Sequence, residues 1–326
     1  MANLYNVLLT PPFKAEHVSR FTDLEGYHFE YSAAPDEAML LRADIILGNP
    51  KEEWINAAQS VRWVQLPFAG SDNYARMPVF RERSILLTNL SGAFGQSISE
   101  VVLGAVLSLY KHLPLYRDHQ RAHEWVDEGW QETPVGKKLL ILGAGNIGAA
   151  VAKLFRSFGC EIIGLWRTPR EIPEHFDRMI TMDALDQALS EADIIVGALP
   201  ESAATHKLLD RRRLDLLKKK AVLVNVGRGG LIDHDVLADK LKRKELWGAA
   251  LDVTDPEPLP KDHPLWDCPN ALITPHISGG SFGHLIATEE TLFDICRTNL
   301  VHWQQGEKLL NRVDLNTGYR VPEDRY

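Results

Sequence analysis

Short apolar runs alternate with amphipathic stretches along this chain. In the first hundred residues, four apolar runs predict buried strands: Tyr5–Leu9, Asp44–Leu47, Val61–Leu66 and Ile85–Thr88. Strands that alternate with helices favour a parallel sheet covered by helices on both faces. From Ser97 to Leu113 the apolar positions recur at helical spacing, so we expect one long helix that Pro114 terminates.

A second alternating series follows, and its pattern is clearer. Its six predicted strands are Lys138–Leu142, Glu161–Leu165, Ile194–Ala198, Ala221–Val226, Gly248–Val253 and Ala271–Thr274. Helices are predicted at Gly148–Phe158 and Leu285–Gln305. The series predicts a Rossmann-type doubly wound parallel sheet at residues 99–285, inserted in a second, flavodoxin-like α/β domain. Residues 1–98 and 286–326 are then left to form that second domain together.

Composition and charge exclude several classes of protein. A chain of 326 residues with 45% apolar and 25% charged residues is long enough for about two globular domains. Its net charge of −8 repels phosphate backbones, so we expect no nucleic-acid partner. No run approaches the ~20 apolar residues of a membrane span, so we expect no membrane association. The three cysteines are far apart in sequence, which favours a reducing, cytoplasmic compartment.

A glycine-rich loop follows the first strand of the second series. Gly143, Gly145 and Gly148 form a GxGxxG pattern with Ala144, Asn146 and Ile147, between an apolar strand and an amphipathic helix. The glycines permit a tight turn and close approach of the backbone to a pyrophosphate. The helix N-terminus offers free N–H groups to the same anion. The pattern therefore predicts a dinucleotide site rather than a ligand-free turn.

The residues after the next strand indicate which dinucleotide is bound. NAD-specific sites usually carry Asp or Glu about 20 residues after the loop, where it accepts from the ribose 2′-OH. Here Trp166, Arg167, Thr168 and Arg170 occupy that region, and no carboxylate is present. Guanidinium groups can clamp a 2′-phosphate, so we predict NADPH as the cofactor and NADH as a weaker one. The alternative is that these arginines only decorate a solvated loop.

Three later segments place polar residues directly after predicted strands. Arg228 is framed by glycines, Glu257 lies between two prolines, and His276 follows a strand and a proline. Each alone has an ordinary structural interpretation: a helix cap, a solvated acid, a core histidine. Together they supply what reduction of a 2-oxo acid requires. Arg228 would bind the carboxylate and polarise the ketone, His276 would donate a proton, and Glu257 would favour the protonated imidazole.

These motifs resemble the D-isomer-specific 2-hydroxyacid dehydrogenase family over nearly the whole chain. The resemblance rests on VNVGRGGLID around Arg228, ALDVTDPEPLP around Glu257 and HPLWDCPNALITPHISGG around His276. It implies that these three residues are catalytic and that the inserted Rossmann domain binds the dinucleotide. Trp166 followed by Arg167, where many members carry an acid, is similar to the NADPH-using glyoxylate and hydroxypyruvate reductases of the family. Besides the loop and the arginine segment, the residues implied to line the cofactor are Leu199, Pro200, Thr205, Val226, Gly227, Arg228, Asp252, His276 and Gly279.

The same resemblance assigns substrate binding to the discontinuous domain. Phe68 would line the pocket, and the N–H groups of Ala69 and Gly70 would hold the substrate carboxylate, together with Arg228 and His276. The implied reaction is reduction of a small 2-oxo acid to the D-2-hydroxy acid. The family also implies a homodimer, with Trp125 and Trp130 either at its interface or in the core.

Two other functions remain open on the sequence. One is a phosphoglycerate-type dehydrogenase that uses NAD, although nothing marks a phosphate pocket. The other is a dinucleotide-sensing binding protein, which can retain the same three residues. We expect no metal site: His119 and His123 have helical metal spacing, but no third ligand is evident and hydride transfer needs none.

Overall fold

Parallel strands form two separate sheets, each in its own part of the chain. The structure is a computed structural model that describes residues 4–280 and 285–321. One compact unit comprises Met1–Phe94 together with Gly280–Tyr326, and the other comprises Gly95–Gly279. Both units are of the α/β class, as the alternating apolar runs predict.

The first unit is built on a five-stranded parallel sheet. Its strands are β1 (Tyr5–Leu9), β2 (Tyr27–Tyr31), β3 (Ile45–Leu47), β4 (Trp63–Gln65) and β5 (Leu86–Thr88). Their order, β2-β1-β3-β4-β5, is that of flavodoxin-like sheets. The connecting helices are α1 (Glu37–Arg42), α2 (Glu52–Ala57), α3 (Asp72–Ala75) and α4 (Pro78–Glu82), with a 3₁₀ helix at Ala15–Arg20.

The second unit contains a seven-stranded parallel sheet. Its strands are β6 (Lys138–Leu142), β7 (Glu161–Leu165), β8 (Arg178–Ile180), β9 (Ile194–Gly197), β10 (Val222–Asn225), β11 (Gly248–Leu251) and β12 (Ala271–Ile273). The order β12-β11-β10-β9-β6-β7-β8 reverses direction at β6, which puts the topological switch point between β6 and β9. Its helices are α5 (Gly95–Tyr110), α6 (Leu113–Ala122), α7 (Asn146–Arg156), α8 (Leu185–Glu191), α9 (Arg211–Leu214) and α10 (His234–Lys242), with 3₁₀ helices at Met182–Ala184, Gly229–Leu231 and Pro264–Asp267.

The chain then returns to the first unit. Helix α11 (Ile286–Gln305) buries Leu292, Ile295 and Leu300, as its helical apolar spacing predicts. A short antiparallel hairpin follows, formed by β13 (Val313–Asp314) and β14 (Tyr319–Arg320).

Both sheets contain an edge strand that the sequence analysis missed. Strand β2 lies at the edge of the first sheet and β8 at the edge of the second, so the second sheet has seven strands rather than the six expected. An edge strand is paired on one side only and is less deeply buried, as the partly exposed β2 and β8 show. Such strands lack the continuous apolar run that marks a central strand of a parallel sheet.

The expectation that Pro114 terminates the long helix is wrong. Helix α5 ends at Tyr110, and Pro114 lies in the first turn of α6, where its missing N–H has no helical partner to lose. His112 makes the bend between them in a left-handed conformation, with φ 55°. Within the described residues, no single helix is long and apolar enough to cross a membrane. Helices α5 and α6 meet that criterion only as a pair, across a 63° bend.

Candidate active site

Candidate functional segments meet at the carboxyl edge of the second unit's sheet. Arg228 follows β10, Glu257 follows β11 and His276 follows β12, and these three strands are neighbours. Beyond the switch point, the glycine loop follows β6 and the arginine segment follows β7. Open α/β sheets bind ligands at this edge, because the loops that leave the strands there can surround a ligand.

His276 and Glu257 form a direct ion pair at this edge. The Nδ1 atom of His276 lies 2.7 Å from Oε1 of Glu257, and the two side chains are 50% and 43% exposed. A carboxylate can only accept, so Nδ1 carries the proton of this hydrogen bond and Nε2 is left to exchange a proton with a ligand.

The backbone of His276 adopts the left-handed conformation, with φ 55°. Non-glycine residues rarely adopt this conformation, so the surroundings must hold it in place. Asp252 does so. Its backbone carbonyl accepts from His276 N at 2.8 Å, and its buried carboxylate accepts from the N–H groups of Ile277 at 2.9 Å and Ser278 at 3.0 Å. Asp252, which we expected to line the cofactor, therefore anchors the histidine loop.

Arg228 lies on a tight turn whose shape depends on Asn225. The buried amide of Asn225 donates to the carbonyl of Arg228 at 2.9 Å and accepts from the N–H of Gly227 at 3.2 Å. The guanidinium of Arg228 is partly exposed and donates to the carbonyl of Gly227 at 2.8 Å. The sequence analysis missed Asn225, although its place three residues before Arg228 at the end of β10 was a usable signal.

Gly229 allows the arginine turn to contact the chain that leads to Glu257. A Cβ at Gly229 would lie 2.0 Å from both the carbonyl carbon and the carbonyl oxygen of Thr254, which leaves no room for a side chain. We therefore expect Gly229→Ala to push the two segments apart. The expected results are a loss of about 1–3 kcal/mol in unfolding free energy and a roughly tenfold lower kcat.

Thermal denaturation and steady-state kinetics measure these effects. Gly104→Ala is the matched control, because a Cβ at Gly104 in α5 meets nothing within 4 Å and alanine favours a helix. A Gly229→Ala enzyme with the stability and kcat of the parent would contradict the packing argument.

His234 is a buried histidine beside this site that the sequence analysis did not single out. Burial lowers its pKa, and the neighbouring His263 lowers that pKa further, while a hydrogen bond to the Asp255 backbone opposes the decrease. The rings of His234 and His263 meet edge to face, with centroids 6.3 Å apart. His234 therefore packs as a neutral imidazole against the segment that carries Glu257. Directly after the N-cap Asp233, it looks from sequence like an ordinary surface residue of a helix.

The glycine loop fits a pyrophosphate. A Cβ at Gly148 would lie 2.2 Å from the carbonyl oxygen of Gly143, and a Cβ at Gly143 would lie 2.7 Å from that of Ala198. Side chains are thus excluded where the loop turns, and Gly143 needs its positive φ of 108°. Gly145 is the N-cap of α7, whose first-turn N–H groups have no helical acceptor. The loop therefore has the backbone donors and the open approach that a dinucleotide phosphate requires.

The segment after β7 presents two guanidinium groups. Arg167, Thr168 and Arg170 are exposed, and the guanidinium of Arg170 lies over the ring of Trp166, 4.6 Å from its centroid. The Trp166 ring is in turn 4.0 Å from the Cβ position of Gly145. In the part of the chain that the structure describes, no carboxylate forms an ion pair with either arginine. The segment is therefore a cationic surface beside the glycine loop.

The remaining residues that we expected at the cofactor lie on the same edge. Leu199 and Pro200 follow β9, and Thr205 closes that loop by donating to the carbonyl of Pro200 at 2.7 Å. Val226 is buried and Gly227 abuts Leu199, whose carbonyl oxygen would lie 2.7 Å from a Cβ at Gly227. Asn146 and Ile147 are the first two residues of α7, and Gly279 follows the histidine loop.

The predicted substrate loop belongs to the first unit. Phe68, Ala69 and Gly70 are partly exposed and follow β4 at the carboxyl edge of the five-stranded sheet. No group among the described residues accepts a hydrogen bond from the N–H of Ala69 or of Gly70. These two adjacent backbone N–H groups are therefore available to donate to an anion.

Of the two histidines with metal-like spacing, His119 and His123, only His119 forms close contacts with carboxylates among the described residues. The ring of His119 lies between two carboxylates, with Nδ1 3.1 Å from Glu124 and Nε2 2.5 Å from Glu128. These contacts raise the pKa of His119. His123 is exposed at the end of α6. Across residues 4–280 and 285–321, no group of three or more His, Cys, Asp or Glu side chains is placed to hold a metal ion.

Comparison with known families identifies the family of this chain. The family model described as D-isomer specific 2-hydroxyacid dehydrogenase, NAD binding domain, matches residues 103–278, more than half of the chain. The chain belongs to the D-isomer-specific 2-hydroxyacid dehydrogenase family. Its resemblance to that family is thereby confirmed, and the second unit contains the NAD(P)-binding domain. Arg228, Glu257 and His276 all lie within the matched region of this dehydrogenase.

Individual relatives of the dehydrogenase agree in sequence and in fold. Glyoxylate/hydroxypyruvate reductase B of Pectobacterium carotovorum subsp. carotovorum (strain PC1) is 31% identical over 290 residues, which cover 86% of this chain and 88% of that protein. A family protein from Aeromonas salmonicida subsp. salmonicida A449 superimposes with a TM-score of 0.84 and 32% identity, over 96% of this chain and 100% of the other. The NADPH-dependent glyoxylate/hydroxypyruvate reductase of Sinorhizobium meliloti, solved with NADP and sulfate, has a TM-score of 0.80 and 25% identity, over 97% and 100%.

Proposed function

We propose that this dehydrogenase reduces the 2-oxo group of small 2-oxo acids, glyoxylate and hydroxypyruvate first, to the D-2-hydroxy acid, with NADPH preferred to NADH. The observation that carries the proposal is the 2.7 Å pair of Glu257, after β11, and His276, after β12, at the sheet edge where β10 leads to Arg228. This arrangement supports His276 as the proton donor and Arg228 as the cation of the proposed reaction. Relatives named glyoxylate/hydroxypyruvate reductase support the substrate class.

The three residues have distinct roles in this proposal. His276, oriented by the hydrogen bond of its Nδ1 to Glu257, donates its Nε2 proton to the oxygen of the ketone as that oxygen gains negative charge. The guanidinium of Arg228 binds the substrate carboxylate and polarises the ketone. NADPH, when bound, supplies the hydride. Glu257 does not touch the substrate; it orients the imidazole.

Substrate and cofactor are assigned to different units of the chain. We assign the dinucleotide to the second unit, where its pyrophosphate contacts the 143–148 loop. We assign the substrate carboxylate to the N–H groups of Ala69 and Gly70 in the first unit, with Phe68 as a wall of the pocket. Each of these N–H groups is free to donate, which supports the assignment.

The preference for NADPH rests on charge at the end of β7. Arg167 and Arg170 form no ion pair among the described residues, so both are available to a 2′-phosphate. A carboxylate would accept from the ribose 2′-OH but repel that phosphate, and none stands in this segment. The NADP that the Sinorhizobium meliloti structure contains supports the same preference.

We also propose a cytoplasmic homodimer. Trp125 is fully exposed and Trp130 is 76% exposed, in a segment without regular secondary structure that follows α6. Two large exposed aromatic residues so near each other favour burial against another protein surface, and a second copy supplies one. All three cysteines are buried free thiols, which suits a reducing compartment.

Steady-state turnover with a panel of 2-oxo acids tests the proposed reaction. Each acid, from glyoxylate and hydroxypyruvate to branched and aromatic examples, is assayed with NADPH and separately with NADH. Turnover that is fastest with the smallest acids and with NADPH supports the proposal. Turnover of 3-phosphoglycerate with NAD would replace it with the phosphoglycerate-type reaction. Tight NADPH binding without turnover of any acid would favour a sensing role.

A further inference from the structure

The substrate loop of the first unit is shaped by a buried side chain from the next strand. The amide nitrogen of Asn89, which directly follows β5, donates to the carbonyl of Ala69 at 2.8 Å and to Oγ of Ser71 at 3.2 Å. The amide oxygen accepts from the N–H of Ser91 at 3.0 Å, and this contact fixes which way the amide is turned. Asn89 is 1% exposed, so its amide loses its hydrogen bonds to water, and these three hydrogen bonds offset the free-energy cost of that burial.

Holding the carbonyl of Ala69 also aims the N–H of Gly70. These two groups belong to one planar, trans peptide unit and point in opposite directions. Phe68 is held in the same way, because its carbonyl accepts from the backbone N–H of Leu90 at 3.0 Å. The two N–H groups assigned to the substrate carboxylate are therefore directed through the carbonyl oxygens of the preceding residues. Only one of the two anchors is a side chain, and that is Asn89.

The C-terminal hairpin completes this support. The hydroxyl of Ser71, which accepts from Asn89, donates to the carbonyl of Gly318 at 2.7 Å. Ser71 is 1% exposed, so neither bond competes with bulk water. A second tie joins the same parts of the chain, since the N–H of Asn89 donates to the carbonyl of Asn311 at 3.2 Å. Bonds in such a chain polarise and strengthen one another.

We propose that Asn89 is a positioning residue that sets the affinity of this dehydrogenase for the carboxylate of its 2-oxo acid. Ser71 supports it by accepting a hydrogen bond from its amide. Asn89 does not touch the substrate. It holds the Ala69–Gly70 peptide so that the Gly70 N–H points away from the anchored carbonyl, toward the acid. This inference rests on the proposed function, which assigns the carboxylate to that loop.

Asn89→Asp is the sharpest variant, because it keeps the shape and the acceptor for Ser91 but replaces the donor that faces Ala69 with a second acceptor. We expect KM for the 2-oxo acid to rise at least about tenfold, with kcat within threefold and KM for NADPH unchanged. Ser71→Ala, which removes both hydroxyl contacts, should raise the same KM about two- to fivefold.

Thr88→Val is the matched control at the preceding position, the last residue of β5. The Thr88 hydroxyl is fully buried, accepts from Trp63 Nε1 at 2.8 Å and donates to Gln65 at 2.8 Å, and has no contact with the substrate loop. Its loss should lower the melting temperature without raising KM for the acid. A purely structural role for Asn89 would likewise reduce the amount of active enzyme and the apparent kcat, and leave KM alone. A folded Asn89→Asp enzyme whose KM is within twofold of the parent therefore overturns the proposal. If Asn89→Asp does not fold, an unchanged KM in Ser71→Ala overturns it.

Oxamate separates this inference from the proposed function. It carries the same carboxylate beside a carbonyl group, and calorimetry on the NADPH-loaded protein measures its binding without any turnover. If the parent turns over no 2-oxo acid, the proposed reaction fails. Oxamate that binds the parent but binds Asn89→Asp at least about tenfold more weakly still supports the role of Asn89. Equal binding to both proteins, or no binding to the parent, overturns it.

Discussion

We expect His276→Asn to lower kcat for the 2-oxo acid by about a thousandfold, the size of effect that follows removal of a general acid. Asparagine cannot donate a proton as an imidazolium does. It tolerates the left-handed backbone that this position requires, with φ 55°, better than other residues of similar size. The loop held by Asp252 should therefore keep its shape, and the affinity for NADPH should change by less than about threefold. Stopped-flow or steady-state assays measure turnover, and the fluorescence of NADPH measures binding.

His175→Asn is the control for that experiment. His175 is also a left-handed histidine, with φ 72°, and it lies 3.5 Å from its neighbour Glu174 in the second unit. It shares the backbone conformation and the acidic partner of His276 but lies outside the candidate site, so its replacement should leave turnover intact. Retention of more than a tenth of the parent kcat by His276→Asn would show that another group donates the proton.

Arg167→Asp should lower the ratio of kcat/KM with NADPH to kcat/KM with NADH by about 10²-fold. The substitution removes charge-assisted hydrogen bonds to a 2′-phosphate, each worth about 1.5–3 kcal/mol, and adds a carboxylate that repels that phosphate and accepts from a 2′-OH. Arg170, which lies over Trp166, remains in place and limits the size of the change. The ratio is measured at a saturating concentration of the preferred 2-oxo acid.

Arg211→Asp supplies the matched change of charge. Arg211 is an exposed residue of α9, 58% exposed, so its replacement alters the net charge equally at a position outside the predicted cofactor segment. The cofactor ratio of that variant should equal the parent's. A ratio for Arg167→Asp that stays within threefold of the parent would mean that the arginines only decorate a solvated loop.

The local pattern of the sequence predicts the central strands and the helices between them. Strands β1, β6 and β7 begin and end where their apolar runs predict, because strands at the centre of a parallel sheet are buried on both faces. The edge strands β2 and β8 lack that signal. The bend at His112 was missed for a different reason, since a proline is equally at home in the first turn of a new helix.

The chemistry of the site divides in a similar way. Arg228, Glu257 and His276 were chosen from sequence as polar residues after strands, and the structure places them in the loops that follow three adjacent strands. Their catalytic roles stay predictions until the variants are measured. Asn225 was not chosen, although its place at the end of β10 was a usable signal. His234 was not chosen because it directly follows the N-cap Asp233 and looks from sequence like an ordinary surface residue of a helix.

By itself, the sequence determined the class of the fold, the glycine loop and the motifs of the family, since each is written in residues that are close together in the chain. Only the tertiary structure decided how those motifs are held. The left-handed turn of His276 depends on Asp252, and the aim of the Gly70 N–H depends on Asn89. In each case a buried residue, Asp252 or Asn89, forms a hydrogen bond with a residue about 20 positions away in the chain, and local propensity does not encode such a pairing. It exists only once parallel strands bring their carboxyl ends to one edge of a sheet.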